Sequence, residues 1–270
     1  MARRLGVLAG EGELVDEVVA AALASGYAVR IVALGAPPEI EGVDIVRANL
    51  SDPLGAMRSL AEFGATHVTL VGRVGLDGNA RQSIAQSAGG GSRLGDVDLA
   101  GAVRGMLERQ GLVIMGAHDI APSLLAGDGV LAGPEVRDET LADCRFALGL
   151  ARQVGQLDLG QAVVASASRP MAVEDVAGTD ALLDRVIAYR AQGLLPAGSE
   201  HLVLAKAAKP QQPDYVDLPA IGAETVRRAA AAGISAIVVE AGRSLLLQRA
   251  ALVAAAAALG VSVIGLRADG

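Results

Sequence analysis

Lysine is nearly absent from this 270-residue chain: of 23 basic residues only Lys206 and Lys209 are lysines, and both lie in Ala205-Lys-Ala-Ala-Lys-Pro210. An ammonium is a compact point charge on a flexible stem, and a guanidinium does not replace it at every phosphate site. The stretch continues through Pro213, Asp214, Asp217 and Pro219, so both lysines and two acids fall within twelve residues. Positive groups beside carboxylates able to hold a metal or a water are the minimum kit for phosphoryl transfer. A solvated linker with incidental charges, in a chain whose composition favours arginine, is the competing reading.

Further candidates sit where short apolar runs give way to turns. Gly10-Glu-Gly12 precedes helical periodicity, a setting in which backbone N–H groups and a helix N-terminus can face an anion. A third glycine is missing, since Val15 stands there, and Glu11 and Glu13 oppose phosphate. A tight strand-to-helix turn is the competing explanation. His118, in Gly116-Ala-His-Asp119, emerges at the carboxyl end of an expected strand, where ligands of open α/β sheets collect. Gly160 allows close backbone approach, and Gln161 beside it can present an amide. Glu174 and Gly178-Thr-Asp180 bracket another strand-to-helix turn. Two carboxylates there suit a hard divalent cation, whereas helix capping by Thr179 or Asp180 is the commoner use. Glu240-Ala-Gly-Arg243 places an acid and a base on one edge just past a further strand. No Ser/His/Asp, Cys-x-x-Cys, His-Glu-x-x-His or Walker pattern occurs.

The elements that must position these residues alternate short β-rich runs with Ala-rich helical segments. Strands are expected at Leu5–Ala9, Ala28–Leu34, Gly42–Arg47, His67–Val71 and Leu112–Met115, with helices after the first, third and fourth of them. Between residues 72 and 96 the pattern weakens, and Gly89-Gly-Gly91 reads as a mobile loop. The turn-rich Gly127–Gly133 contains no helix pattern and marks a domain boundary. A helix then runs from Pro134 to about Gln153. Strands follow at Gln161–Ala167, Met171–Glu174, His201–Ala205, Ala236–Glu240 and Val261–Leu266, interleaved with helices at Gly178–Gln192, Gly222–Ala232 and before Gly260. Strands separated by helices of this length imply parallel sheets. The expected fold is two α/β domains, 1–130 and 134–270, with largely parallel sheets and a cleft between them.

Composition narrows the function. Ala and Gly together fill 87 of 270 positions (53 and 34), and there is no Trp. An apolar fraction of 52% excludes a disordered acidic chain. The mean hydropathy of +0.43 raises the membrane question. Stretches such as Leu245–Gly260 are interrupted by Gln248 and Arg249, and none reaches the roughly 18 apolar residues of a spanning helix. Leu5–Ala9 after Arg3 and Arg4 is too short an apolar run for a secretory leader. The single cysteine, Cys144, excludes a disulfide framework and suits a reducing cytosol. A net charge of −7 with no basic stripe excludes nonspecific nucleic-acid binding.

From Pro134 onward the chain resembles the LpxI-type UDP-2,3-diacylglucosamine pyrophosphatase family. The residues carrying the likeness are Gly155-Gln-Leu-Asp-Leu-Gly-Gln161, Gly178-Thr-Asp180, Leu204-Ala-Lys-Ala-Ala-Lys-Pro210, Val216-Asp-Leu-Pro219 with Ile221-Gly222, and Glu240-Ala-Gly-Arg243. The first half resembles the family less closely. It has Leu8-Ala-Gly-Glu-Gly-Glu-Leu-Val15 against a family Leu-Ile-Ala-Gly-Gly-Gly-x-Leu-Pro, Gly72-Arg-Val74 against Gly-Asn-Val, and His118-Asp119 against His-Glu. The resemblance implies a cytosolic step of lipid A synthesis, hydrolysis of the substrate pyrophosphate to UMP and lipid X, and a need for Mg²⁺ or Mn²⁺. It implies Asp217, Lys206 and Lys209 as catalytic residues, with Asp217, Asp180 and Glu240 as metal ligands. Gly10, Gly12, His118, Gln161, Thr179, Asp180 and Arg243 are the implied substrate contacts, and the first domain is the implied UDP-binding one. A lipid-linked nucleotide sugar is the expected partner, with peripheral contact at the inner leaflet and a homodimer both admitted. Two alternatives stand beside this reading: a degenerate paralogue that binds without hydrolysing, and an unrelated nucleotide-dependent enzyme such as a dehydrogenase.

Overall fold

Buried apolar runs bounded by glycines dictate strands here, and Ala-rich stretches with apolar residues every three to four positions dictate the helices that cover them. A computed structural model describes residues 3–75, 77–87, 96–195, 202–211, 213 and 218–267. The chain divides into two units. The first runs to Ser123 and takes in Pro213; the second comprises Leu124 to Gln211 and the residues from Leu218 on. The division falls just ahead of the turn-rich segment expected to mark it, because that segment holds a strand of the second unit.

The first unit contains, in order, β1 (Arg4–Ala9), α1 (Leu14–Ala24), β2 (Ala28–Ala33), β3 (Asp44–Arg47), α2 (Pro53–Phe63), β4 (His67–Val71), α3 (Gly78–Ser87), α4 (Asp96–Arg109), β5 (Val113–Ile114) and the single turn α5 (Ala117–Ile120). Its sheet has the order β3-β2-β1-β4-β5 with every pair parallel. Helix α2 shows why the boundaries fall where they do. The Asp52 carboxylate accepts the Gly55 N–H at 2.9 Å, Pro53 opens the helix, and Gly64 closes it at φ +68°. Its Ala56, Met57 and Leu60 pack with Met106 and Leu107 of α4 against Leu8, Val32 and Val68 of the sheet. Helix α3 lies in the stretch where the sequence pattern weakens: it buries only Ala80, Ile84 and Ala85 among polar neighbours. Gly89-Gly-Gly91 lies outside the described residues.

The second unit contains β6 (Gly129–Ala132), α6 (Asp138–Gln156), β7 (Ala162–Ser166), β8 (Arg169–Val173), α7 (Gly178–Ala191), β9 (Val203–Lys206), β10 (Ala220–Ile221), α8 (Ala223–Ala231), β11 (Ala236–Glu240), β12 (Leu245–Leu246), α9 (Arg249–Leu259) and β13 (Ser262–Leu266). Its main sheet has the order β6-β13-β11-β9-β7-β8, and β10 pairs with β12 separately. The centre, β13-β11-β9, is parallel, while β6, β7 and β8 join antiparallel. The β7–β8 hairpin turns through Ala167 (φ +47°) and Ser168 (φ +60°). Helix α6 begins at Asp138 rather than Pro134.

The sheet separates two cores. Cys144, Ala147, Leu148 and Ala151 of α6 pack on Val203, Ala205, Ala236 and Val238. On the opposite face, Leu204, Ile237 and Val239 meet Leu182, Leu183 and Val186 of α7, Val226 and Ala229 of α8, and Leu252 of α9. Alanine serves both sides of the helices: Ala147, Ala151, Ala229 and Ala256 are buried in the cores, whereas Ala250, Ala251, Ala254, Ala257 and Ala258 of α9 are exposed. Among the described residues, no helix is long and apolar enough to cross a membrane.

Candidate functional site

Strand alternation decides where the charged groups at the carboxyl ends of β9 and β11 point. On β11, Ala236 and Val238 face α6, so Glu240 two residues on faces it too. The same rule puts Lys206 on the other face, with Leu204. The carboxylate of Glu240 is 2% exposed as a residue and takes Arg152 Nη2 on Oε1 at 2.8 Å. Its Oε2 accepts the Ala208 N–H at 3.2 Å, and Arg243 Nη1 stands 3.8 Å from Oε1. Lys206, 6% exposed, donates from Nζ to the Ala220 carbonyl of β10 at 3.0 Å. Lys206 and Glu240, at neighbouring strand ends, therefore point to opposite faces of the sheet.

Lys209 is held by the end of α6. Its Nζ meets Asp158 Oδ1 at 2.6 Å, and Asp158 adopts φ +55° just past the helix. Gln211 Nε2 donates to the Gly155 and Gln156 carbonyls at 2.9 and 3.0 Å, satisfying acceptors that a helix C-terminus leaves open. The Ala207 N–H donates to the Gln161 carbonyl at 3.0 Å. Residues 155–161 thus cradle residues 206–211.

Glu174, 7% exposed, ties the neighbouring turn together. Its Oε2 accepts the Gln161 N–H at 2.7 Å and its Oε1 accepts the Thr179 hydroxyl at 2.8 Å. Gly160 passes so close that a Cβ there would lie 2.7 Å from the Glu174 carbonyl oxygen. The Gln161 backbone N–H and the Thr179 hydroxyl, the latter expected at the substrate, are engaged in bracing this turn. Asp180 lies on α7, more than half exposed, with Arg228 Nε of α8 at 3.7 Å. It belongs to the α7–α8 side of the sheet and Glu240 to the α6 side, so these two expected metal ligands are not brought together.

In the first unit the turn after β1 is closed by backbone. Gly10 N–H donates to the Val71 carbonyl at 2.8 Å, and Glu11 and Arg73 exchange N–H···O bonds of 2.9 and 2.8 Å. A Cβ on Gly10 would lie 2.3 Å from the Arg73 carbonyl oxygen, so glycine is required there. The N–H groups that would cradle a phosphate at Gly10 and Glu11 are used within the fold. Gly12, at φ +116°, has open space where a Cβ would be. Asp119 Oδ2 accepts the Gly116 N–H at 2.8 Å, and His118 Nε2 lies 3.6 Å from Asp119 Oδ1. The Nδ1 of His118 is buried with no partner among the described residues. Among the described residues no group of three or more His, Cys, Asp and Glu side chains could hold a metal ion. Asp214 and Asp217 lie outside the described residues.

Residues 4–124 match the LpxI N-terminal domain and residues 127–264 the LpxI C-terminal domain. The chain belongs to the LpxI family. It is 36% identical over 273 aligned positions, covering 97% of each chain, to the UDP-2,3-diacylglucosamine pyrophosphatase LpxI of Caulobacter vibrioides. The match to the LpxI N-terminal domain extends the family across the half whose motifs depart most from the expected pattern. Arg152 and Asp158, which hold Glu240 and Lys209, were missed as site residues. The only signal for Asp158 was its place inside Gly155–Gln161; Arg152 had none.

Proposed function

We propose that this chain hydrolyses the pyrophosphate bond of UDP-2,3-diacylglucosamine, water cleaving one P–O bond to release UMP and lipid X, with both protons of the water released as the two new phosphomonoesters ionise. The observation that carries this reading is the likeness to the Caulobacter enzyme of that name along 97% of both chains. The arrangement at the ends of β9 and β11 supports it. A pyrophosphate carries charge that must be offset before water attacks in line. Lys206 and Lys209 bring ammonium groups, each with three donors, to the start of the segment that carries Asp217. Asp217 would orient the water. The protein acts on the cytoplasmic side, with peripheral access to the inner leaflet for its acylated substrate, as a homodimer or a monomer.

A requirement for Mg²⁺ or Mn²⁺ is part of the proposal, but the described residues do not compose the site. Glu240 has its oxygens on Arg152 and the Ala208 N–H, and Asp180 faces Arg228. Neither fits a cation, which leaves Asp217 as the proposed ligand. Release of lipid X from UDP-diacylglucosamine by the purified chain, with Mg²⁺ and then with excess chelator, is the test. No turnover under either condition overturns the hydrolase reading in favour of a binding protein; undiminished turnover in chelator overturns the metal.

A further inference from the structure

Resting on the pyrophosphatase reading, we propose that Glu174 is a positioning residue for the reaction: its carboxylate fixes the turn of residues 158–161, and that turn fixes the Lys209 ammonium. Lys209 lies three residues past the end of β9, beyond the ladder that holds Lys206. The segment carrying it is attached twice to the one turn. The Ala207 N–H donates to the Gln161 carbonyl at 3.0 Å, and Lys209 Nζ meets Asp158 Oδ1 at 2.6 Å. A shift of residues 158–161 therefore carries Lys209 with it. Leu157 and Leu159 flank Asp158 and are 71% and 58% exposed, so apolar burial does not hold the turn.

Glu174 supplies the hold. Its Oε2 accepts the Gln161 N–H at 2.7 Å, and it packs so tightly on Gly160 that a Cβ there would lie 2.9 Å from the Glu174 Cβ. Its Oε1 accepts the Thr179 hydroxyl at 2.8 Å, so α7 fixes the carboxylate in its turn. Two donors converge on the group and both its oxygens accept, as an ionised carboxylate can do. Glu174 is 7% exposed and makes no ion pair among the described residues, so a buried anion is met by neutral donors alone. Burying a charge without a cation is costly, and a brace for a surface turn does not call for one. The next N–H of the segment, that of Ala208, is held by Glu240 at the end of β11. Two buried carboxylates thus fix successive amides between the lysines, Glu240 directly and Glu174 through Gln161.

The chain carries its own probe, since it has two lysines in 270 residues. Grown with ¹³C-labelled lysine, the full chain gives two ε-methylene NMR signals, which Lys206→Ala and Lys209→Ala assign. Glu174→Ala is expected to shift the Lys209 signal and leave that of Lys206 in place. Its kcat for UDP-2,3-diacylglucosamine falls by about tenfold with KM within about twofold. Glu174→Gln rescues both, because the amide oxygen accepts the Gln161 N–H and the NH₂ donates to the Thr179 oxygen. Thr179→Val, which removes one of the two bonds, gives the same pattern at about threefold and takes the place of Glu174→Ala if that variant does not fold. A KM that rises while kcat holds overturns the proposal, because Glu174 and Thr179 would then touch substrate. So does a Lys209 signal that stays in place in both Glu174→Ala and Thr179→Val, or a kcat within about twofold of wild type in both. A wild type without hydrolysis whose Lys209 signal still moves in Glu174→Ala removes the reading and keeps the hold on Lys209. Hydrolysis with that signal unmoved does the reverse.

Discussion

Glu240 and Arg152, 88 residues apart in the chain, meet at 2.8 Å with the carboxylate side chain 3% exposed. The same carboxylate accepts the Ala208 N–H, so one buried anion fixes both a helix side chain and the backbone between Lys206 and Lys209. Removing one partner of such a pair leaves an uncompensated buried charge. Arg152→Ala is expected to cost about 3 kcal/mol, the low end for buried pairs because the guanidinium is partly exposed. Adding Glu240→Gln to Arg152→Met recovers part of that loss, since the orphaned charge is gone. Urea unfolding midpoints at constant m-value decide it.

Lys209 and Asp158 allow the charge to be separated from the fold. Asparagine tolerates the left-handed backbone of Asp158, so Asp158→Asn removes the charge and leaves the turn. The pair is partly buried, with side chains 13% and 31% exposed, and losing its charge is expected to cost about 1–3 kcal/mol of stability. Turnover is expected to fall by about tenfold, because Lys209 loses its anchor. Equal turnover in Asp158→Asn and wild type would show that the anchor is immaterial.

Lys206→Ala and Lys209→Ala test the charge itself. Losing a contact to a developing phosphate charge costs about 2–4 kcal/mol of transition-state stabilisation, or roughly 30- to 1000-fold in rate. At least one of the two variants is expected in that range. Lys206→Arg should rescue poorly, since the buried ammonium donates to the Ala220 carbonyl as a point charge and a guanidinium presents its donors in a rigid planar fork. If both alanine variants and both arginine variants stay within about twofold of wild type in kcat, the phosphate role is wrong.

Asp217→Ala is expected to abolish turnover while the melting temperature and UMP affinity stay near wild type. The signature is a fall in kcat without a matching rise in the UMP dissociation constant. A near wild-type rate would remove Asp217 from the mechanism.

Gly160→Ala drives a methyl to 2.7 Å from the Glu174 carbonyl oxygen, and the backbone on both sides is braced. A cost of about 1–3 kcal/mol follows from overpacking. A melting temperature equal to wild type would mean that the turn yields.

Burial pushes the Cys144 thiol up from 9.0 to about 12, with Asp143 adding to the rise and Arg145 opposing it. The folded state therefore keeps its proton where the unfolded chain has lost it. This contribution to stability is intact below pH 9 and is lost as the pH rises from 9 towards 12. Native protein should be inert to a thiol reagent at pH 8 and react only as fast as it unfolds.

The residues themselves determined which elements form and which faces they bury. Short apolar runs expected to end at Ala205 and Glu240 located two strand ends, the first one residue short of Lys206, and Gly64 and Gly260 located helix stops, because these signals act over a few neighbouring residues. Helix α3 and strand β6 escaped because too few apolar positions mark them: α3 buries three residues, and two of the four in β6 are exposed. Partnership was decided by tertiary structure alone. Alternation put Lys206 and Glu240 on opposite faces of the sheet, but only the order β11-β9-β7, with α6 across it, brought Arg152 to Glu240 and Asp158 to Lys209. Those contacts join residues 88 and 51 positions apart, and no local propensity reaches that far. The closing of the Gly10 turn by Arg73 has the same origin: β4 lies beside β1, and their two loops pair where a phosphate site was expected.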